Sequence, residues 1–149
     1  MLKIQFPEPE FRTRQAELFD EIFDPLRKKW IKLTPEEWVR QNLIQYMIQV
    51  VSIPASLIAI EREIKLEDSK KRFDIVVFDR AGKPWMLVEC KSMESMLNEK
   101  VISQVLSYIT QLPCRYMLVS NGVYNYGWQI DALNFSALTQ FPTFPAANV

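Results

Sequence analysis

Two short apolar runs, each carrying an acid, constrain this chain most. The first is Arg72–Asp79, written Arg-Phe-Asp-Ile-Val-Val-Phe-Asp. The second is Trp85–Lys91, written Trp-Met-Leu-Val-Glu-Cys-Lys. Between them lies Arg80–Pro84, which contains Gly82. Runs rich in β-branched and aromatic residues, bounded by Gly and Pro, predict two strands joined by a hairpin. Side chains of a strand alternate faces, so Glu89 and Lys91 are expected on one face of the second strand, with Asp74 beside them on the first. Met86, Leu87 and Val88 form an unbroken apolar stretch before Glu89, the mark of a strand buried on both faces. Two carboxylates and an ammonium there are costly unless compensated. A divalent cation bound through oxygen would compensate them. A cross-strand ion pair on a solvated face is the competing reading.

Bulk properties set the class. A chain of 149 residues, 48% apolar and 24% charged, is expected to form one soluble domain. Its formal net charge is zero, so it lacks a global basic field for unspecific nucleic-acid binding. The two cysteines, Cys90 and Cys114, are too few for a disulfide framework. Both fall in predicted strands, which suits buried, reduced thiols and a cytoplasmic protein. The start lacks the apolar core of a signal peptide, and no run reaches the length of a membrane span. The chain has no histidine, which excludes a His-based triad and a His-ligated zinc. None of its three glycines has P-loop spacing.

Further elements follow along the chain. Residues 1–10 read as a loose arm and Phe11–Phe23 as a short helix. Asp24–Leu33 is basic and extended, either a solvated edge or a strip that contacts phosphate. Thr34 is an expected N-cap, with Pro35 at the first helical position and Glu37 completing a capping box. Val39, Leu43, Tyr46, Met47 and Val50 repeat at helical spacing and define a core face. Glu36 and Arg40 fall on that face, as a local pair or as part of a polar site. Ser56–Leu66 reads as a strand, in which Glu61 is a lesser acidic candidate. A second helix is expected over Met96–Leu112, where Gln104 and Tyr108 are neighbours one turn apart. Arg115–Ser120 is the next strand, Asn121-Gly122 a turn, and Tyr124–Ile130 an edge strand. The expected divisions are an arm and helix over 1–23, a core domain over 24–130, and a C-terminal tail over 131–149.

Asp74 followed, after fourteen intervening residues, by Glu89-Cys90-Lys91 resembles the signature of the PD-(D/E)XK nuclease superfamily. Phe73 stands where the superfamily name has Pro. The ordered set Thr34–Gln41, Arg72–Asp74, Val88–Lys91, Gln104 with Tyr108, and Ser120–Gly122 resembles the N-terminal nuclease domain of the type I restriction enzyme R subunit. The resemblance implies an α/β restriction-endonuclease-like αβββαβ core, with a mixed sheet of four to five strands flanked by helices. It implies a metal-dependent DNA endonuclease acting in restriction of foreign DNA. Mg²⁺, or Mn²⁺ in its place, would be held by Asp74 and Glu89, with the Cys90 carbonyl and Glu36 as further ligands. Lys91 would stand by the attacking water. Gln104 and Tyr108 resemble a Gln-x3-Tyr motif that positions the scissile phosphate. Implied partners are DNA and other restriction-system subunits or a separate motor protein, with a homo-oligomer left open and no membrane. The alternative is a nuclease fold that holds nucleic acid or supports assembly without turnover.

Overall fold

The hairpin forms as expected and becomes the centre of a larger sheet. The structure is a computed structural model and describes residues 1–147. Strand β5 (Lys70–Phe78) pairs antiparallel with β4 (Ile58–Lys65) and with β6 (Pro84–Cys90). The hairpin turn is closed by Asp79, whose carboxylate accepts from the backbone of Ala81 and Lys83, with Gly82 in the left-handed region. Helix α2 (Glu99–Leu106) carries the chain across, so β7 (Tyr116–Ser120) runs parallel to β6. Two antiparallel strands complete the order β4-β5-β6-β7-β8-β9, namely β8 (Asn125–Asp131) and β9 (Asn134–Ala137). The sheet therefore has six strands, and the expected edge strand is internal. Tyr124–Ile130 carries enough β-branched and aromatic surface to be paired on both sides.

Helix α1 (Pro35–Gln49) covers one face. Its start follows the capping signal: the Thr34 hydroxyl accepts from the Glu37 backbone at 3.0 Å. The reciprocal half of the capping box is absent, because the Glu37 carboxylate is held by Arg27 and Gln41 instead. Val39, Leu43, Ile44 and Met47 pack on Ile75, Val77, Met86 and Val88. Val50 lies past the helix and is exposed. On the other face, Val105, Ile109 and Leu112 pack on Phe73, Val76, Leu87 and Val119. The second helix is shorter than its apolar stripe suggested: α2 ends at Leu106, and a single 3-10 turn follows at Ile109–Gln111.

The N-terminal expectation fails. Phe11–Phe23 is not helical. It contributes β1 (Thr13–Gln15) and β2 (Asp20–Asp24), which with β3 (Lys29–Lys32) form a separate three-stranded antiparallel sheet. Phe19, Ile22 and Phe23 suit a helical stripe, yet β2 alternates faces and buries Ile22 completely. The first ten residues are packed, not loose. Leu2 is buried and bridges to Asn125, and the Gln45 amide holds the backbone of Glu8 and Glu10. Residues 131–147 likewise join the fold: β9 extends the sheet, and Phe144 is buried against Trp85. The last two residues of the expected tail lie outside the described residues.

Asp24 ties the small sheet to α1. Its buried carboxylate accepts from the backbone of Leu26 and Arg27 and from the Arg27 side chain. Arg27 then donates to Glu37 at 2.8 Å. Burial alone would raise the Asp24 pKa, but these donors overcome it and hold the pKa below the ordinary 3.8. A carboxyl depressed in the folded state contributes stability above its unfolded pKa and loses it as the pH falls through the folded value. Asp24→Asn is therefore expected to cost about 3 kcal/mol at neutral pH, because it leaves Arg27 half-paired. Its stability should also fall less steeply below pH of about 4. Urea unfolding of both proteins from pH 7 down to pH 3 checks this, and parallel curves would refute it.

Candidate active site

The candidate residues gather where β5 and β6 part. Their ladder stops at Ile75 and Val88, so Asp74 and Glu89 are the next positions out. The Asp74 carboxylate replaces the lost backbone pairing and accepts from the Cys90 N–H at 2.6 Å. Lys91 follows the strand end, and its backbone N–H donates to the Ser120 carbonyl at 2.8 Å. Its ammonium is half-buried and makes no ion pair among the described residues. Register thus brings 74, 89 and 91 to one end of the sheet, but the expected sharing of one face by Asp74 and Glu89 does not hold.

The two carboxylates are nonetheless engaged from different sides. Glu89 lies on the α2 side, where its carboxylate accepts from the Tyr108 hydroxyl and pairs with Lys71 at 3.2 Å. Lys71 also lies 4.9 Å from the Tyr108 ring centre. Asp74 has its charged neighbours on α1, namely Arg40 and Glu36. A change of face at this rung explains the difference. Ile58 and Ile60 of β4 face the α1 core, whereas Ile64 faces the α2 core. Likewise Ile75 and Val77 of β5 face α1, and Phe73 faces α2. Both strands switch across the Glu61–Asp74 rung, where Glu61 takes a left-handed φ of 51°. Such a conformation is costly for a non-glycine residue and persists only where its surroundings impose it.

Charge at the site is dominated by acids. Burial raises the Asp74 pKa most, and the charges of Glu89 and Glu36 add to it, while the Cys90 N–H and Arg40 oppose the shift. Arg40 is buried, 3.3 Å from Glu37 and 3.5 Å from Glu61, and its Nη1 has no hydrogen-bond partner. Of the two readings for Glu36 and Arg40, the local pair does not form. Glu36 is exposed near Asp74, while Glu37 is buried in ion pairs and is structural. Cys90 is buried on the α1 side, with burial pushing its thiol pKa well up, so only its backbone is available to a hard cation. Cys114 lies in the bend before β7, not in a strand, and burial pushes its thiol up to about 12.

Tyr108 sits past the end of α2, and burial together with the Glu89 carboxylate raises its pKa, so it stays a phenol donor. Gln104 is exposed, and its amide makes no hydrogen bond among the described residues. Sequence reasoning does not single out two participants: Lys71, and Asn121, which reads as a turn residue only. The Asn121 side chain accepts from Val123 and Tyr124 N–H and donates to the Ser95 carbonyl, which anchors the loop after Lys91. Gly122, at φ 87°, completes that turn, where an added Cβ would press on the Val39 side chain at 3.3 Å. Among the described residues, no three Asp, Glu or Cys side chains converge as a metal-binding group. No described helix is long and apolar enough to cross a membrane.

A family model described as type I restriction enzyme R protein N terminus matches residues 35–145. The match runs from the first residue of α1 past β9, so it spans the whole six-stranded sheet. The chain belongs to that family. Membership gives this R-protein N-terminal domain a role in a restriction system. No similarity to a curated protein was found. The small β1-β2-β3 sheet precedes the matched segment.

Because the folded Asp74 binds its proton more tightly than the unfolded chain does, its ionisation costs stability. That contribution is favourable at low pH and is lost as the pH rises through the interval between the unfolded pKa and the raised folded one. Asp74→Asn keeps an acceptor for the Cys90 N–H and removes the charge. The variant should be more stable than the parent at pH 7, with the gain shrinking toward pH 4, as read by thermal melts at both values. A destabilised variant at pH 7 would contradict this account of the site.

Proposed function

We propose that this R-protein N-terminal domain is a metal-dependent nuclease that hydrolyses DNA phosphodiester bonds, with a PD-(D/E)XK type of site. The observation that supports the reading is the placement of Asp74, Glu89 and Lys91 at neighbouring positions on the open end of β5 and β6. Burial raises the Asp74 pKa most, and the charges of Glu89 and Glu36 add to that rise. Such repulsion between acids is relieved by a hard cation with oxygen ligands. Asp74 and Glu89 would hold Mg²⁺, or Mn²⁺, with the Cys90 carbonyl and Glu36 completing the oxygen set. Bound metal supplies Lewis acidity toward the phosphate and acidifies a bound water.

The protein's own groups divide the remaining work. Lys91 has an uncommitted ammonium to stabilise developing charge or orient a water. Tyr108 fixes the Glu89 carboxylate, and Lys71 balances its charge. Gln104 presents a free amide one turn before Tyr108, where it can contact phosphate. Arg40 keeps the acids of α1 and β4 together beside Asp74. DNA and other restriction-system subunits, including a separate motor, are the partners this reading calls for, and a cytoplasmic setting follows from it. It leaves assembly as a homo-oligomer open.

One observation favours a second reading, a domain that holds DNA or supports assembly without turnover. The Glu89 carboxylate is already satisfied by Tyr108 and Lys71 from the α2 side, while Asp74 answers to α1. The same experiment separates the two. Plasmid and short duplexes are incubated with purified protein in Mg²⁺, Mn²⁺ or chelator. Cleavage is expected with metal only, and Asp74→Ala and Lys91→Ala should each lower the rate by about a hundredfold or more. DNA binding without cleavage under every condition would establish the second reading.

A further inference from the structure

The β1-β2-β3 sheet lies before the family segment and has one face turned outward. Register places Ile22 opposite Ile31, and Ile22 is fully buried, so that side faces the protein. The opposite side carries Phe23 paired with Trp30 and Glu21 paired with Lys32. Arg14 stands across from Glu21 on β1. The two rings meet edge to face at 5.4 Å. The Arg12 guanidinium lies 4.8 Å from the Phe23 ring centre and 5.4 Å from that of Trp30. Arg14 lies 4.1 Å from the Trp30 ring centre.

These contacts hold two guanidiniums against an aromatic base without using up their donors. A guanidinium has five N–H donors in a rigid fork suited to phosphate oxygens. Arg14 spends only its Nε on Glu21, at 2.8 Å, and the Arg12 guanidinium donates no hydrogen bond among the described residues. Ring contact fixes both groups beforehand, which lowers the ordering cost of binding an anion. The local charge is also unbalanced. Asp24 is buried against Arg27 and Glu21 is taken by Arg14; Arg12, Lys28, Lys29 and Lys32 have no ion-pair partner among the described residues, nor do Glu17 and Asp20, so residues 12–32 carry six Arg and Lys against four Asp and Glu. In a chain of zero net charge this is a local excess of cations.

We propose that this outward face docks the phosphate backbone of duplex DNA, with Arg12 and Arg14 as its principal contacts. The proposal rests on the functional reading only in taking DNA as the substrate. Phosphate contacts of this kind position a duplex and carry no sequence preference. The ion pair of Arg27 with Glu37 joins the face to α1, so a docked duplex would be held relative to the site.

Fluorescence anisotropy with a labelled duplex, in chelator so that no cleavage intervenes, tests this on the full chain. Arg12→Ala/Arg14→Ala should weaken binding by about tenfold and lower the slope of log affinity against log salt by about 2. The double change to Lys should keep the slope closer to that of the parent. Lys3→Ala/Lys83→Ala, which removes equal charge elsewhere, should leave both quantities near the parent values. Circular dichroism confirms that each variant is folded. Equal losses in the two alanine pairs, an unchanged slope, or preference for single-stranded over duplex DNA would overturn the proposal. Loss of cleavage in the Asp74 and Lys91 variants is a separate readout, so either idea can fail without the other.

Discussion

A chain of ion pairs through α1 holds the parts of this protein in register. It runs from Asp24 through Arg27 to Glu37, then through Arg40 to Glu61. Asp24, Glu37 and Arg40 are buried, and a buried charge without a partner costs several kcal/mol. Each link therefore requires the next. The small N-terminal sheet must sit on α1 to pair Glu37. The helix in turn must lie where Arg40 reaches β4. At the far end, Glu61 occupies the strained rung opposite Asp74. Residues more than thirty positions apart in the chain thus meet one electrostatic requirement, which ends beside the candidate site.

That arrangement gives the site two unlike halves. On the α2 side, Glu89, Tyr108 and Lys71 form a closed and neutralised group. On the α1 side, Asp74 is desolvated, with Arg40 favouring its charge and Glu36 opposing it. The desolvated half opposes folding stability, as functional groups in strained or buried surroundings commonly do. Arg40 supplies part of the missing positive charge and still has an unpaired donor. The combination suits a protein whose site is completed by something it binds.

Much of this was legible in the residues themselves. The turn at Arg80–Pro84, the Thr34 cap and a helix between Lys91 and β7 follow from turn chemistry, local capping and hydrophobic period. Asp74, Glu89 and Lys91 were recognisable because acids ending a buried apolar strand need a reason. The failures share a cause as well. Phe19, Ile22 and Phe23 fit either a helical stripe or one strand face and its neighbour, and only pairing with β1 and β3 decides. Glu36 and Glu37 are adjacent acids with the same local credentials. Arg27, distant in sequence, takes Glu37 for the core and leaves Glu36 outside. Val50 matched the core period but falls after the helix ends.

The sequence by itself determined the central hairpin, the start of α1 and the candidate residues, because hydrophobic period, caps and turns are properties of neighbours along the chain. It also placed Asp74 and Glu89 at the same end of adjacent strands. Tertiary structure alone decided how those acids face. Simple alternation would put Asp74 on the α2 side with Val76, as Glu89 lies with Leu87. The left-handed Glu61, held by Arg40, switches the face of both strands at that rung, and Asp74 answers to α1 instead. No local pattern encodes that switch, since it is imposed by a buried charge on a helix that must find its partner across the sheet.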